Sequence, residues 1–316
     1  MPGRINKISV LMPAYNCGKY IKQSVNSILN QSYTDFEFII IDDGSTDDTE
    51  SIIKNINDKR IKYFKTEHKG ASAALNLGIS KASGDWIARI DADDLNVPER
   101  LEKQVQFLNE NPEYTAVSSW SVYFNDKGKI LFPLREPVDH NAIHEYLNLH
   151  NPLNQSGLII IKELLEKNKF NESFTKYEDF ELMFRIRDEA RFYNIPEFLV
   201  YTRLREASGT NEMNDEKMYD VLYNHAFKHL IGAQSKGTSF YWTTNIAWIN
   251  YFYGDKKDAR KYLVNSFSWK NVIANILTYL PGGLFNKFLN GRWRYRLSAL
   301  FENKSGFKKQ LQSLLK

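Results

Sequence analysis

Short apolar runs alternate with amphipathic stretches through the N-terminal third of the 316-residue chain. Ile8–Met12, Phe36–Ile41, Ile61–Phe64 and Trp86–Ile90 are compact runs rich in β-branched and aromatic side chains, which read as buried strands. Between them, Tyr20–Leu29 places Ile21, Val25, Ile28 and Leu29 at helical spacing. Thr46–Ile56 and Ala71–Ala82 also read as helices, with Ser45 or Asp47 placed to cap the first of these. Pro98 suits the opening turn of a further helix through Leu108. This alternation predicts a mostly parallel sheet with helices on its faces. Right-handed crossovers then put the loops that follow the strands along one edge.

Beyond Leu108 the pattern loosens. Tyr114–Phe124 and Gly157–Ile161 read as strands, and Phe192–Leu204 as extended chain around Pro196. Asp179–Ala190 reads as a helix with Phe180, Met183 and Phe184 along one face. From Lys217 onward the sequence is helical in pattern and rich in aromatics. A hydrophobic content of 42% and a charged content of 25% are ordinary for a globular chain, and the length suggests two or more lobes. Cys17 is the single cysteine, which excludes an intrachain disulfide framework and fits a reducing compartment. Ile8–Met12 is too short for a signal core, and no stretch reaches the ~18 apolar residues of a spanning helix, so a cytoplasmic location is expected.

Charge is spread unevenly. Residues 256–316 hold 13 Lys and Arg against Asp258 and Glu302, while the whole chain carries only +4, so residues 1–255 are acidic. A basic tail implies an anionic partner. Within it, Asn271–Leu289 is strongly apolar, broken by Pro281-Gly282-Gly283, and Arg292-Trp293-Arg294-Tyr295-Arg296 and Lys308-Lys309 follow. This mixture suits an interfacial anchor on anionic lipid, or a helical subdomain or dimer contact packed through its apolar stripe. Nucleic acid is not expected as a partner, because the rest of the chain is acidic and carries no nucleic-acid motif.

The chemistry concentrates in two acidic clusters, each directly after an apolar run. Asp42-Asp43-Gly44-Ser45 follows the second strand, and Asp91-Ala92-Asp93-Asp94 follows Trp86–Ile90. Open α/β sheets bind ligands at the carboxyl ends of their strands. Gathered carboxylates repel one another, so a bound cation is the simplest reason to assemble them. A hard divalent cation such as Mg²⁺ takes one or two carboxylates together with phosphate and water oxygens. The Asp-x-Asp therefore points to a metal holding a phosphate-bearing substrate. A carboxylate at the end of the second strand can accept from a base N–H or a ribose hydroxyl, and Gly44 permits a tight turn. The same residue types also serve plainly as turn and cap residues. No Gly-x-Gly-x-x-Gly follows the first strand and no Gly-x-x-x-x-Gly-Lys-Ser/Thr occurs, which removes the dinucleotide-fold and P-loop fingerprints. His68 and His150 stand alone, without zinc spacing.

Taken in order, Pro13-Ala14-Tyr15-Asn16, Phe36–Asp48 with its Asp-Asp-Gly-Ser-Thr-Asp, Asn76-Leu77-Gly78-Ile79 and Gly84–Asp94 resemble the inverting family 2 glycosyltransferases of the GT-A fold. The likeness is close over residues 1–110 and looser to residue 210. It implies an α/β fold of GT-A type, with a mostly parallel central sheet, helices on both faces and a mainly helical C-terminal extension. The expected regions are a nucleotide-sugar-binding half (1–110), an acceptor-binding half (111–210) and a helical, basic, aromatic-rich region (211–316).

The resemblance further implies transfer of a sugar, a hexose in the expected case, from a nucleotide-sugar that is usually UDP-linked, with Mg²⁺ or Mn²⁺. Pro13, Ala14, Tyr15 and Asn16 would flank the nucleotide, and Asp42 would bond the uracil ring with Asp43 beside it. Asp91 would contact the ribose or the donor sugar, Asp93 would bind the metal on the diphosphate, and Asp94 would reach the donor sugar or the metal's water shell. Family members often carry Arg before the Asn of the third motif; Leu75 stands there instead, so a phosphate or sugar contact is either missing or supplied by Lys69. Tyr177-Glu178-Asp179-Phe180-Glu181-Leu182 with Arg185 resembles the segment whose Asp is the catalytic base, which assigns Asp179 that role and makes Glu178 an acceptor-binding or orienting residue. Read without the resemblance, the same residues are the acidic first turn of a helix. Tyr201–Arg205, continuing through Ser208 and Thr210, resembles the segment that follows, with Arg205 where His is common. An arginine there pairs with a diphosphate bidentately or stands as a solvated strand-end charge.

The expectation is single-sugar addition, with inversion, to a hydroxyl of a glycan or lipid-linked glycan in surface-polysaccharide biosynthesis. The protein would be cytoplasmic, or peripheral on the inner face of the plasma membrane. Two rivals remain: a nucleotidyltransferase on a similar sheet, and a catalytically inactive membrane-docking module. Pro13-Ala14-Tyr15-Asn16 occupies the place of the first rival's Gly-rich loop, and the presence of Asp93 and Asp179 argues against the second.

Overall fold

Continuous burial, rather than alternation, marks the first strands. β1 (Ile8–Ala14) is buried except at Pro13, and β2 (Phe36–Asp42) is buried throughout, as expected for strands covered on both faces. The computed structural model describes residues 5, 7–147, 150–174, 176–205 and 304–315. The chain divides into two units: Met1–His144 with Asn151–Glu206 and Phe301–Lys316, and Glu145–His150 with Ala207–Leu300. The fold below is that of the first unit.

β1 pairs in parallel with β2 and with β4 (Trp86–Arg89), and β2 pairs in parallel with β3 (Ile61–Lys65). Ala14 lies opposite Asp42 and Leu11 opposite Arg89, so the chain leaves β1, β2 and β4 along one edge. The helices α1 (Gly18–Leu29), α2 (Thr49–Lys54) and α3 (Ala71–Lys81) lie between these strands in the chain. Buried Glu37 ties the opposite end together, accepting the Ser9 hydroxyl at 2.5 Å, the Ser83 N–H at 2.6 Å and the Lys62 ammonium. Burial pushes its proton affinity up, but these donors outweigh it and hold the carboxyl at about 2.

The second half reverses direction. β8 (Ile159–Ile161) runs antiparallel to β4 and to β6 (Ala116–Asn125), while β6 lies parallel to β9 (Phe192–Leu204). β9 is antiparallel to β5 (Leu95–Asn96), and β7 (Ile130–Leu134) pairs with β6. Among the described residues the order is β3-β2-β1-β4-β8-β6-β9-β5. The parallel arrangement thus spans β3 to β4, and the pairing is mixed beyond it. The remaining helices are α4 (Arg100–Glu110), α5 (His140–Tyr146), α6 (Lys162–Asn168), α7 (Glu178–Arg185) and α8 (Lys304–Leu314).

Departures from the sequence reading have local causes. α2 starts at Thr49 rather than Thr46, because Asp47 turns its carboxylate to the Gly18 N–H at 2.9 Å and to the Thr49 N–H at 3.0 Å. α7 stops at Arg185 rather than Ala190, since Glu189 and Ala190 both donate to the Ile186 carbonyl in a closing turn. β7 carries Pro133, which a strand tolerates at an edge. The helical C-terminal region and its lipid-anchor reading lie outside the described residues, apart from α8. That helix is part of the first unit's packing: Leu311 is 1% exposed, the Tyr201 hydroxyl meets Gln310 Oε1 at 2.7 Å, and Gln23 Nε2 donates to the Leu315 carbonyl at 3.1 Å. No helix among the described residues is long and apolar enough to cross a membrane.

One buried cation joins these pieces. Arg100 is wholly buried and donates to the Arg89 carbonyl at 3.0 Å, Asn96 Oδ1 at 2.5 Å, the Leu158 carbonyl at 3.1 Å and Gln104 Oε1 at 3.0 Å. All four acceptors are neutral, and burial pulls the guanidinium down to about 9. Arg100→Ala would leave them facing a dry cavity. We expect a loss of about 3–5 kcal/mol, read as a lower urea midpoint; an unchanged midpoint would show that water replaces the guanidinium.

Candidate active site

Two loops interlock at the ends of β1 and β2. Asp42 is fully buried; its Oδ1 accepts the Ser45 N–H at 2.7 Å and its Oδ2 the Tyr63 hydroxyl at 2.5 Å. Burial and that bond push the Tyr63 phenol above its ordinary range. Asp43 clasps the turn before α3, taking the Lys69 N–H at 2.8 Å, the Gly70 N–H at 2.9 Å and His68 Nδ1 at 2.8 Å. Gly44 permits this approach: its φ is +77°, and a Cβ would stand 2.8 Å from the His68 nitrogen. The Ala14 carbonyl accepts the Asp43 N–H at 2.8 Å, next to half-buried Pro13. Asn16, at φ 46°, gives its N–H to Ser45 Oγ at 3.0 Å and receives the Thr46 N–H at 2.9 Å. Tyr15 is left exposed and stacks on His68 with ring centroids 4.0 Å apart. That shelf includes a histidine the sequence left unassigned. The Lys69 side chain is exposed and forms no ion pair among the described residues.

The loop after β4 holds three carboxylates in different settings. Asp91 is 41% exposed, and its Oδ1 receives Arg89 Nη2 at 3.1 Å. Asp93 is 14% exposed, with Oδ2 2.7 Å from Arg205 Nε. That contact is an ion pair rather than a hydrogen bond, because the N–H is angled off the oxygen. Asp94 is buried and fully engaged, taking the Arg203 N–H at 2.7 Å and the Ser156 hydroxyl at 2.6 Å. Burial, and then the charges of Asp93 and Asp91, lift Asp94 well above the usual carboxylate range. Burial also raises Asp93, with Arg205 pulling it back. β9 delivers both arginines, because its antiparallel register with β5 carries Arg203 onto this loop. The Arg203 guanidinium is held over the Tyr20 and Phe124 rings at 4.7 and 4.5 Å.

The third component opens α7. Tyr177 precedes it in the left-handed region at φ 59°, a strained conformation of the kind that collects at functional sites. Glu178 and Asp179 follow in the first turn, both partly exposed, and Asp179 Oδ2 accepts Asn151 Nδ2–H at 3.0 Å. A helix N-terminus favours ionised carboxylates, yet burial wins here. It pushes Glu178 up to about 7, with the Asp179 charge adding to it, and it raises Asp179, with Arg89 opposing. The Asp91 charge acts on both. The structure thus brings Asp91, Asp93, Asp94, Arg205, Glu178 and Asp179 into one electrostatic neighbourhood.

Asp91 and Asp93 offer hard oxygen donors that fit a divalent cation completed by phosphate and water oxygens. Asp94 cannot easily join them, since both its oxygens are taken. Among the described residues no three His, Cys, Asp or Glu side chains converge as a protein-only site would need. Ser156 is among the contributors that sequence reasoning passed over. Gln155–Gly157 forms a short 3-10 turn, and Ser156 Oγ accepts the Asp91 N–H at 3.0 Å while donating to Asp94. These partners lie 65 and 62 residues away in the chain, so no local pattern marks the serine.

The model for glycosyl transferase family 2 matches residues 9–185, a span that includes the β1, β2 and β4 loops and all of α7. The O-antigen biosynthesis glycosyltransferase WbnJ of Escherichia coli is 33% identical over 212 residues, which cover 65% of this chain and 82% of that protein. Among solved structures, S. aureus TarS 1-349 in complex with UDP-GlcNAc aligns with a TM-score of 0.63 at 19% identity, covering 94% of this chain and 93% of its own. The mannosyltransferase PcManGT from Pyrobaculum calidifontis, in complex with GDP-Man and Mn²⁺, aligns with a TM-score of 0.55 at 18% identity, covering 100% of this chain and 88% of its own. These likenesses identify the fold as GT-A.

Ser156→Ala would strand the Asp91 N–H and one Asp94 oxygen in a buried setting. A loss of about 1–3 kcal/mol is expected in urea unfolding, and unchanged stability would mean that the acidic loop does not depend on this hydroxyl.

Proposed function

The chain belongs to glycosyl transferase family 2, and we propose that it moves one sugar, with inversion, from a UDP-sugar to a hydroxyl of a glycan or lipid-linked glycan during surface-polysaccharide assembly. One observation carries the reading. The Asp91–Asp94 loop and the Glu178–Asp179 pair meet electrostatically beside the edge where β1 and β2 also end. The UDP-GlcNAc in the TarS complex supports a nucleotide-sugar donor, and the O-antigen role in the name of WbnJ supports a polysaccharide acceptor. The excess positive charge of residues 256–316 supports approach to an anionic membrane surface, where lipid-linked acceptors lie.

In this reading Pro13, Ala14, Tyr15 and Asn16 flank the nucleotide. Asp42 meets the base through lone pairs left by Ser45 and Tyr63, and Asp43 shapes the loop around it. Asp91, the more exposed carboxylate, takes the ribose or the donor sugar. Asp94 reaches the sugar only through what Arg203 and Ser156 leave. Asp93 holds the cation, Mg²⁺ or Mn²⁺, and the Mn²⁺ in the PcManGT complex supports that choice. Bound there, the ion would neutralise charge on the departing diphosphate. Arg205 then exchanges Asp93 for a phosphate oxygen, and Lys69 adds a second positive contact.

Asp179 is the base. The acceptor oxygen attacks the anomeric carbon, its proton passes to the Asp179 carboxylate, and the bond from that carbon to the diphosphate oxygen breaks with its electron pair leaving on UDP. Glu178 orients the acceptor hydroxyl. Attack and departure on opposite faces invert the configuration.

Calorimetric binding of UDP with and without Mn²⁺ tests the nucleotide side. Metal-dependent binding, weakened at least about tenfold by Asp93→Asn, is expected. Absence of UDP binding under both conditions would overturn the UDP assignment. Asp179→Asn should lower the rate of transfer by about 100-fold or more while retaining UDP binding. Because Asp179 is raised and must be ionised to act, wild-type transfer should fall on acidification through a limb above the ordinary carboxylate range. An active Asp179→Asn variant would remove the base assignment.

A further inference from the structure

Hydrogen bonds that pass through the Leu153 backbone link Asp91 to Asp179. Arg89 donates through Nη2 to Asp91 Oδ1 at 3.1 Å and through Nη1 to Gln155 Oε1 at 2.7 Å. Gln155 Nε2 donates to the Leu153 carbonyl at 3.1 Å. The Leu153 N–H donates to Asn151 Oδ1 at 3.1 Å, and Asn151 Nδ2 donates to Asp179 Oδ2 at 3.0 Å. Each amide in the relay uses both its ends, so neither can turn without losing two bonds.

Arg89 anchors the relay firmly. It is 3% exposed, its guanidinium lies 5.5 Å from the Phe170 ring, its N–H binds the Leu158 carbonyl at 2.8 Å, and its own carbonyl receives Arg100. Its Nε has no hydrogen-bond partner among the described residues. A cation buried at this cost, with one part-exposed carboxylate as its ion-pair partner, needs further negative charge nearby. Arg89 lowers the proton affinity of Asp179 and Asp91 raises it, Glu178 stands beside it in the chain, and Asn151 is neutral. Arg89 is the cation in that set.

We propose that Arg89, Gln155 and Asn151 are positioning residues that lock the Asp179 carboxylate in register with Asp91, so that the donor and acceptor sides of the site form one rigid element. This deepens the glycosyltransfer reading and rests on it. Asn151 holds Asp179 Oδ2, and the Phe180 N–H adds a second bond to the carboxylate. Arg89 keeps the base ionised against its burial.

Carboxyl ¹³C NMR titration of protein labelled at Asp and Glu tests the bridge directly, with Asp179→Asn assigning the resonance. Asn151→Ala and Arg89→Met should each move the Asp179 midpoint to higher pH, Arg89→Met by about tenfold in proton affinity, while Arg89→Lys restores most of the wild-type value. Unchanged midpoints in both variants would overturn the proposal. In parallel, UDP release from a UDP-sugar that the wild-type protein turns over should show a lower kcat and an unaltered KM for Asn151→Ala. A raised KM with wild-type kcat would also overturn it. Asn151 is partly exposed and its variant keeps the test valid if Arg89→Met fails to fold, which thermal melting would reveal. Activity in Asp179→Asn would remove the base reading, whereas the titration still reports on the bridge itself.

Discussion

Asp42, Asp43, Asp91, Asp93, Asp94, Glu178 and Asp179 crowd a small region at the carboxyl edge of one sheet, and burial removes the water that would screen them. The surrounding architecture supplies compensation in two forms. Where a carboxylate is buried, it receives dipoles: Asp43 takes two backbone N–H groups and a histidine nitrogen, Asp42 an N–H and a phenol, and Asp94 an N–H and a hydroxyl. Where it is partly exposed, it receives a full charge, as Asp91 does from Arg89 and Asp93 from Arg205. A buried carboxylate that loses a partner is penalised more than it gained by finding one. The loops that carry these groups are therefore fixed together rather than separately.

The scaffold beneath that edge depends on a charge with no acid partner. Arg100 draws the Arg89 carbonyl, the Asn96 side chain and the Leu158 carbonyl to one point, which joins the end of β4 to β5 and to the approach to β8. Arg89 is thereby held through its backbone while its side chain faces Asp91 and Gln155. The parallel half of the sheet sets where the acidic loops leave. The mixed half then returns Ser156, Arg203 and Arg205 against them. The first half answers Asp42, Asp43 and Asp91 from its own residues, whereas Asp93 and Asp94 take their partners from the second.

Much of the first half was legible in the sequence because its signals are local. A run such as Phe36–Ile41 followed by Asp42-Asp43-Gly44 announces a buried strand and its turn without reference to distant residues. The second half gives no such signal. β5 is two residues long and exists only through its pairing with β9. Ser156 and Gln155 sit in a short turn whose partners are contributed by β4 and its loop. Arg89 reads as one polar residue within an apolar strand, and nothing in its neighbours reveals that it faces carboxylates rather than solvent. Asn76 was legible as part of a motif, but its local role is structural: it binds the Phe170 N–H and carbonyl and so ties α3 to the loop after α6.

Asp179 shows why so much apparatus surrounds one carboxylate. In the role proposed for it, a base accepting a proton from an acceptor hydroxyl, Asp179 would gain driving force as its proton affinity rises, but only while it stays ionised. Burial pushes the affinity of both members of the Glu178–Asp179 pair upward, the Asp91 charge adds to it at both, and the Asp179 charge adds further at Glu178. The N-terminal turn of α7, the Asn151 amide and the Arg89 guanidinium push it back. A surface aspartate would be ionised but weak, and an isolated buried one would be neutral and inert. The opposing influences leave Asp179 above the ordinary range yet still answerable to a nearby cation, and that balance requires strand, turn and helix to be held in a single geometry.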